Sequence, residues 1–444
     1  LYHLEPSSAT NTLNVAVGYH AGKAVTTGIQ NTLIGGNAGD ALTDSDYNTV
    51  VGYEALSSDT LGGRSTAIGY QALATQNFTS ATNVYNTAVG YSAGIAVTTG
   101  VNNTLIGGLS GDAITTGANN TAVGTSALSA NTTASNNTAV GYHSSRDNTT
   151  GSTNASFGVN SLRNNTTGSS NVAIGEAALL ANTSASNNTA IGQVSLFDNT
   201  TGAQNTAVGK SALENNTTAS YNTAVGYQSL LANTTGHNNT AVGTASLDAN
   251  LTGIENVALG SSSLSGNTTG SENVAVGQGA LFANTTASYN TAVGKSALVT
   301  NTTGASNTAL GQSALNRNTT ASENTAVGYQ AGYTTTTGAY NSVFGHKAWY
   351  GGTGTNNSVF GHTAYRDGGA GNNNAAFGYA SMASNTGNHN SAFGNQSVQN
   401  NTSGQNNTGL GSYALFSNTT AGNNTAVGYQ ASYSNTTGTG NTSL

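Results

Sequence analysis

The chain has 444 residues, of which only 6% are charged, and it contains 59 glycines, one proline and no cysteine. An average soluble protein carries roughly 25% charged residues, so this composition argues against an ordinary enzyme surface. A formal net charge of -7 with only 9 basic residues argues against a nucleic-acid partner. No apolar run approaches the roughly 18 residues of a membrane span, so no membrane insertion is expected.

A 17-residue repeat runs through nearly the whole chain. Its most regular feature is a glycine that closes motifs such as Asn-Thr-Ala-Val-Gly, first at Gly18 and last at Gly428, and we call this residue the anchor. Of the 24 intervals between the 25 anchors, 21 are 17 residues long, two are 16, and Gly69 to Gly90 is 21. Such a unit is too short for a strand-helix-strand motif, and its Gly, Asn and Thr disfavour helices. We therefore predict an all-β parallel β-solenoid (β-roll) in which each repeat is one rung.

The predicted solenoid has about 25 rungs and, at about 4.8 Å per rung, a length on the order of 120 Å. Residues 1–13 depart from the consensus and predict an N-terminal cap or partial rung, followed by a continuous solenoid over residues 14–444. Asn441 to Leu444 read as the opening of another rung. We expect the rod to continue beyond this sequence, either as a slice of a longer fibre or by one subunit completing the next subunit's first rung.

Two apolar columns predict the core, a column being one rung position followed through successive rungs. The residue just before the anchor is always apolar, as in Val225 and Phe344, and forms the pre-anchor column. Because side chains alternate along a strand, this column and the residue two positions earlier are predicted to face inward. The fourth residue after the anchor is usually Leu, as in Leu213 and Leu230, and this Leu column is the second predicted core column.

Some rungs have glycine in the Leu column and an apolar residue three positions later, as in Gly39 with Leu42. This exchange predicts that both positions reach the same internal volume, because an unfilled void would lose contacts on every side.

The third residue after every anchor is Ala or Ser, which indicates close packing. This small column is interpreted either as a tight corner of the coil or as a seam between chains.

Asparagine recurs in two further columns. It stands four residues before nearly every anchor, as in Asn222 and Asn239, and seven residues after most anchors, as in Asn233 and Asn250. A side-chain amide has both a donor and an acceptor, so each column predicts a hydrogen-bonded Asn ladder that also satisfies turn backbone.

The longest interval predicts an insertion near residues 75–85, which should bulge from the solenoid. It offers Phe78 and Tyr85 as candidate receptor contacts.

Residues 329–394 form irregular, aromatic-rich rungs. Here Phe344 lies in the pre-anchor column and Trp349 replaces a column Leu, so both are predicted to be core residues. Tyr340 and Tyr350 remain as candidate glycan or receptor contacts.

His346 and His362 each follow an anchor directly and should be neighbours on adjacent rungs. They are further candidate glycan contacts, and their spacing fits either a two-ligand metal site or two exposed, stacked imidazoles. Because no column offers a third ligand, we predict no metal and no cofactor. We also predict no enzymatic activity, since no nucleophile elbow, phosphate loop or carboxylate pair is present.

The run N-[ST]-[VA]-[VIF]-G-x-x-[AS], seen from Asn222 and again from Asn341, resembles the coil repeats of trimeric autotransporter adhesin heads. It also resembles the repeat shafts of bacteriophage tail fibres. The resemblance implies a left-handed β-roll, usually trimeric, that projects a binding surface from a cell or a virion.

We therefore expect an extracellular, cell-surface or virion-borne fibre that serves structural reach and surface attachment. The expected partners are copies of itself, as a homotrimer or an end-to-end filament, and cell-surface glycans. A self-assembling extracellular filament without a receptor is the main alternative. Ice binding is a distant one, because the Asn-Thr-Thr pairs lie beside a glycine and predict a turn instead of a flat strand.

Overall fold

The computed structural model describes residues 11–444. The predicted N-terminal cap, residues 1–13, therefore falls mostly outside the described residues. The described chain forms two compact units, one ending at Tyr221 and the other spanning Asn222–Leu444. Both units consist of short strands joined by turns, and residues 11–444 contain no helix.

Nearly every rung of the first unit contributes one three-residue strand. The strands are β1 Val15–Val17, β2 Thr32–Ile34, β3 Thr49–Val51, β4 Gly62–Gly63, β5 Thr66–Ile68, β6 Thr82–Asn83, β7 Thr87–Val89, β8 Thr104–Ile106, β9 Thr121–Val123, β10 Thr138–Val140, β11 Ala155–Phe157, β12 Val172–Ile174, β13 Thr189–Ile191 and β14 Thr206–Val208.

The second unit repeats this arrangement. Its strands are β15 Thr223–Val225, β16 Thr240–Val242, β17 Val257–Leu259, β18 Val274–Val276, β19 Thr291–Val293, β20 Thr308–Leu310, β21 Thr325–Val327, β22 Ser342–Phe344, β23 Ser358–Phe360, β24 Ala375–Phe377, β25 Ser391–Phe393, β26 Thr408–Leu410, β27 Thr425–Val427 and β28 Thr442–Ser443.

Within each unit the strands pair in parallel with the equivalent strand of the next rung. Thr223 pairs with Thr240, one 17-residue repeat later, and Phe344 pairs with Phe360 across a 16-residue rung. The register therefore absorbs the short rungs without slipping. This pairing confirms the parallel β-solenoid with one coil per repeat.

The anchor is glycine because the next rung approaches its backbone closely. Gly226 has a φ of +135°, and a Cβ placed on it would lie 2.5 Å from the carbonyl oxygen of Gly243. A side chain would thus meet both an unfavourable backbone conformation and a backbone clash.

The middle residue of each strand faces the core. The sequence predicts the opposite, with the first and third residues of the strand facing inward. This mid-strand residue is mostly Ala, as in Ala224 and Ala241, and is buried in nearly every rung, Ala16 of β1 being partly buried, whereas the pre-anchor residues point outward. The prediction that Val225 and Phe344 are core residues is wrong, because both are only half-buried on the outer side of their strands. Alternation was predicted correctly, but the larger apolar residue was assumed to be the inner one.

The Leu column forms the other side of this thin core. Leu213 and Leu230 are fully buried, although φ values of 51° and 52° place both in the left-handed region. That conformation costs on the order of 1 kcal/mol for a non-glycine residue, which explains why glycine is accepted in this column when another side chain fills the volume.

The exchange between Gly39 and Leu42 is confirmed. A Cβ on Gly39 would lie 2.8 Å from Cδ1 of Leu42 and 2.9 Å from Cδ2 of Leu33. Leu42 is itself fully buried, so its side chain occupies the volume that a column Leu would take.

The small column lies inside the chain. Ala212 and Ser229 have no exposed surface, and the Ser229 hydroxyl donates to the carbonyl oxygen of Ala241 at 3.0 Å. The small residues therefore let two walls of one coil approach each other, and the alternative of a seam between chains at this column is wrong.

Both Asn ladders are confirmed, with different bonding. In the first, Oδ1 of Asn222 accepts from the backbone N–H of Asn239 at 2.9 Å, and Nδ2 of Asn239 donates to the carbonyl oxygen of Gly253. In the second, Nδ2 of Asn250 donates to Oδ1 of Asn233 at 2.8 Å and to the same Gly253 carbonyl. The two ladders thus converge on one turn carbonyl, which keeps these buried polar groups satisfied.

Trp349 is fully buried, as predicted from its place in the Leu column. Its ring stacks on the buried Tyr365 of the next rung at 5.8 Å. The Tyr365 hydroxyl accepts from Nδ2 of Asn374 and of Asn385, at 3.2 and 3.0 Å. Gly368 stands where Tyr365's own rung would otherwise carry a ladder Asn, so the phenol replaces that amide.

Candidate functional site

The outward side of the strands is a surface that recurs on nearly every rung in each unit. We call it the strand face; it comprises the first and third residues of every three-residue strand, so it includes the pre-anchor column. The first residue is usually Thr, and the third is always Val, Ile, Leu or Phe.

No pre-anchor residue among the described strands is fully buried. The exposed fraction is 58% for Val17 and 47% for Leu310. Contiguous exposed apolar surface of this kind typically marks an interaction site. Within each unit, the strand face is therefore a candidate surface for contact with another molecule.

In the second unit four consecutive rungs carry phenylalanine on the strand face. The rings of Phe344, Phe360, Phe377 and Phe393 stack in order, with centroids 4.7, 4.7 and 4.9 Å apart. Each ring covers the face of the next, so the ladder presents ring edges outward. The ladder therefore forms an apolar ridge. Its ring faces, on which a sugar would stack, are covered by the neighbouring rings.

His346 and His362 lie beside the Phe ladder, one residue after their anchors. Their rings stack at 4.8 Å, and the stack continues to Tyr329 on one side and Tyr379 on the other. The two imidazoles are thus exposed members of a mixed aromatic column. Across residues 11–444, no three His, Asp or Glu side chains are grouped in a way that could hold a metal ion.

Among the described residues, Tyr340 stacks on no ring of this histidine column, whereas Tyr350 is connected to that column through Lys347. Tyr340 is 55% exposed in a turn. Tyr350 is half-buried, stacks on Tyr333 at 4.9 Å and has Nζ of Lys347 5.6 Å from its ring centroid. The same Nζ lies 5.8 Å from the ring centroid of Tyr329, a member of the histidine column, so Tyr350 and the histidine column flank one ammonium group.

The insertion separates the two residues that were predicted to act together. Phe78 is buried, with 8% of its surface exposed, so it is a packing residue and the prediction of a receptor contact is wrong for it. Tyr85 is 54% exposed, and its ring centroid lies 5.8 Å from the guanidinium carbon of Arg64.

A buried carboxylate holds the insertion in place. Asp59 stands where the second ladder normally has Asn, and its Oδ1 accepts from the backbone N–H groups of Gly62 and Phe78, both at 3.0 Å. Its Oδ2 accepts from Nε2 of Gln76 at 2.7 Å. In a regular rung the ladder amide donates to a turn carbonyl, whereas here the turn presents N–H groups and needs an acceptor. Burial raises the pKa of Asp59 above its ordinary value.

Turns of two successive rungs and the insertion in the next rung together line a half-open cavity of about 310 Å³. Strands β4 and β6 pair in parallel along one side of it. The cavity is lined by Asp44, Ser45, Asp46, Tyr47, Leu61, Gly63, Arg64, Ala81, Thr82 and Asn83.

No known protein family and no curated protein matches this sequence. The part of the chain that the structure describes contains no helix long and apolar enough to cross a bilayer.

Sequence reasoning missed the strand face and the cavity. The signal for the strand face was the frequent Ala in the mid-strand column, because a small residue at that position leaves room for the column Leu in a thin core. The signal for the cavity was Asp59, an acidic residue in a column of amides.

Proposed function

We propose that this chain is a structural, non-enzymatic fibre protein for surface attachment, of the kind that forms tail-fibre shafts or adhesin heads. Copies of the chain associate side by side through the strand face. The proposed location is extracellular, on a cell surface or a virion, and the resemblance to adhesin heads favours a left-handed coil and three chains.

The observation that carries this proposal is the exposed apolar pre-anchor column. In a lone chain these Val, Ile, Leu and Phe side chains keep part of their apolar surface in water, although neighbouring rungs cover the rest. Association buries this surface at a gain of roughly 25 cal/mol per Å². A repeated surface also makes the gain additive over rungs, so weak contacts at single rungs sum to a stable fibre.

The alternative filament, built by end-to-end stacking, would use different groups. It would join unpaired strand edges at the ends of the solenoid, and the strand face would remain exposed. Charges placed on the strand face therefore separate the two modes of assembly.

The test compares two double-lysine variants by sedimentation velocity. Val140→Lys with Val242→Lys charges the strand face in both units, and Thr133→Lys with Thr235→Lys places the same charges on exposed turns. The proposal expects the unsubstituted chain and the turn variant to sediment as the same multimer, and the strand-face variant as a monomer. A monomeric unsubstituted chain, or multimers that survive the strand-face charges, would contradict side-by-side assembly.

Ice binding is a second candidate because the strand face carries Thr in register on successive rungs, as in Thr223 and Thr240. The Asn-Thr-Thr pairs lie in turns, as expected, so the strand threonines are the relevant ones. Ice binding needs this face open in solution, whereas self-association covers it. Thermal hysteresis in a monomeric chain would favour ice binding over the fibre.

A further inference from the structure

We propose that the cavity beside the insertion binds one neutral sugar unit of a glycan. This inference rests on the attachment role proposed above and assigns it a site. It moves the contact from Phe78, which is buried, to polar side chains around Arg64.

Arg64 is held in a fixed orientation at the cavity. Its guanidinium carbon lies 4.6 Å from the ring centroid of Tyr47 and 5.8 Å from that of Tyr85, on neighbouring rungs. Its Nε donates to Oδ1 of Asn83 at 2.9 Å. Because Nε and the stem are fixed, the terminal nitrogens remain as oriented donors.

Two carboxylates supply the complementary acceptors. Oδ1 of Asp46 accepts from the backbone N–H of Ile29 at 2.8 Å, and Oδ1 of Asp44 accepts from the Thr27 hydroxyl. Each carboxylate is thereby positioned through one oxygen. Among the described residues no donor hydrogen-bonds to Oδ2 of either one.

The charges of these groups select the ligand class. A cation would meet the guanidinium of Arg64, and an anion would meet the carboxylates of Asp44 and Asp46. A neutral molecule that carries both hydroxyl donors and oxygen acceptors satisfies all three groups. A sugar ring has this chemistry, and a cavity of about 310 Å³ lies at the small end of ligand pockets, which suits a single ring.

The cavity depends on the insertion, which supplies Asn83 and Tyr85. The insertion in turn requires the buried Asp59 and its three donors. The chain therefore maintains a buried carboxylate at this rung to hold a segment whose residues line the cavity.

Arg317 provides a matched comparison. Its guanidinium carbon lies 5.4 Å from the Tyr333 ring centroid, so it makes the same kind of cation–π contact. It lies in a regular rung away from the insertion. Replacing it removes an equivalent charge and stacking contact without touching the cavity.

The experiment is saturation-transfer NMR on the full chain with four probes: D-glucose, D-galactose, D-mannose and N-acetyl-D-glucosamine. Asp46→Asn keeps the acceptor for Ile29 but turns the free oxygen into a donor, and Arg64→Met keeps the stem but removes the guanidinium. Arg317→Met is the control, and circular dichroism checks that every variant is folded.

We expect at least one probe to bind the unsubstituted chain and Arg317→Met equally, and to bind Asp46→Asn and Arg64→Met at least tenfold more weakly. Absence of saturation transfer from all four probes, or equal binding by the cavity variants, would overturn the site. If Arg64→Met does not fold, Asp46→Asn alone decides. The sedimentation test is separate, so a chain that assembles but binds no sugar rejects this site only, and a monomeric chain that binds sugar rejects the assembly only.

Discussion

Exchanging Tyr365 and Gly368 for the usual pair of Leu and Asn tests how one rung fills its core. Tyr365 occupies the Leu column, and its ring covers the volume of the missing ladder amide. A Cβ on Gly368 would lie 2.0 Å from Cε2 of Tyr365. The rung of Leu415 and Asn418 shows the usual solution, with Nδ2 of Asn418 donating to the preceding ladder Asn at 2.9 Å.

The single substitutions should each be costly. Tyr365→Leu leaves part of the ring volume empty and removes the hydroxyl that accepts from Asn374 and Asn385, although both amides also donate to the carbonyl of Gly387. We expect a loss of about 2 to 4 kcal/mol. Gly368→Asn forces its side chain into the phenol ring, and we expect a loss of about 3 kcal/mol or more.

The double variant should recover most of this loss. Leu leaves room for the introduced asparagine, whose Oδ1 can accept from Asn385 as in a regular ladder, so stability should return to within about 1 kcal/mol of the original. The coupling energy between the two sites is therefore about 4 kcal/mol or more.

Urea unfolding followed by Trp349 fluorescence measures these differences. Trp349 is the chain's one tryptophan and stacks on Tyr365, so its emission reports on this region even where distant rungs unfold separately. If the two losses simply add in the double variant, the phenol does not replace the ladder amide and the reasoning is wrong.

Three further predictions concern the core, the anchor and the insertion. Leu213→Ala should lower the free energy of unfolding by about 2 to 4 kcal/mol, while replacing the exposed Lys210 by Ala should leave it nearly unchanged. Thermal melts in which Lys210→Ala is the less stable variant would show that the buried and exposed positions of the rung have been assigned the wrong way round. Gly226→Ala should prevent stable folding of its rung, whereas Gly279→Ala should cost about 1 kcal/mol. The φ of Gly279 is also positive, but a Cβ added to Gly279 would have no atom within 4 Å. Equal urea midpoints for the two variants would contradict the argument that the next rung approaches the Gly226 backbone closely. Because burial raises the pKa of Asp59, the folded state binds its proton more readily than the unfolded chain. Hydrogen-exchange protection factors at the insertion, which are corrected for the intrinsic slowing of exchange in acid, should therefore rise as the pH falls from 7 towards about 4; the same rise in Asp59→Asn would exclude this carboxyl as the cause.

The repeat period determines most of the fold. Because each rung contributes one short strand, the spacing of anchors such as Gly226 and Gly243 predicts the number of coils and their register. The phase of Trp349 within its rung likewise predicts that it is buried.

The side of the strand that faces inward could not be read from hydrophobicity alone. Alternation distinguishes two faces, and both carry apolar residues: Ala224 on one and Val225 on the other. In most rungs the thin core takes the smaller residue beside a column Leu, although Leu33 and Leu105 are also fully buried at the mid-strand position. Where the mid-strand residue is Ala, the larger residue lies on the outward side of the strand. Asp59 marks its rung as irregular in the sequence, but the cavity itself could not be predicted, since it depends on how far the insertion folds back over the turn that carries Tyr47.

Cross-linking through a cysteine on the strand face tests the central claim of side-by-side assembly most directly. The natural sequence has no cysteine, so Val242→Cys and Thr235→Cys each give a chain with a single thiol, on the strand face and on an exposed turn respectively. With a short bismaleimide, the proposed assembly predicts covalently joined chains from Val242→Cys and few from Thr235→Cys. Equal yields from both positions, or joined chains from Thr235→Cys alone, would contradict assembly through the strand face.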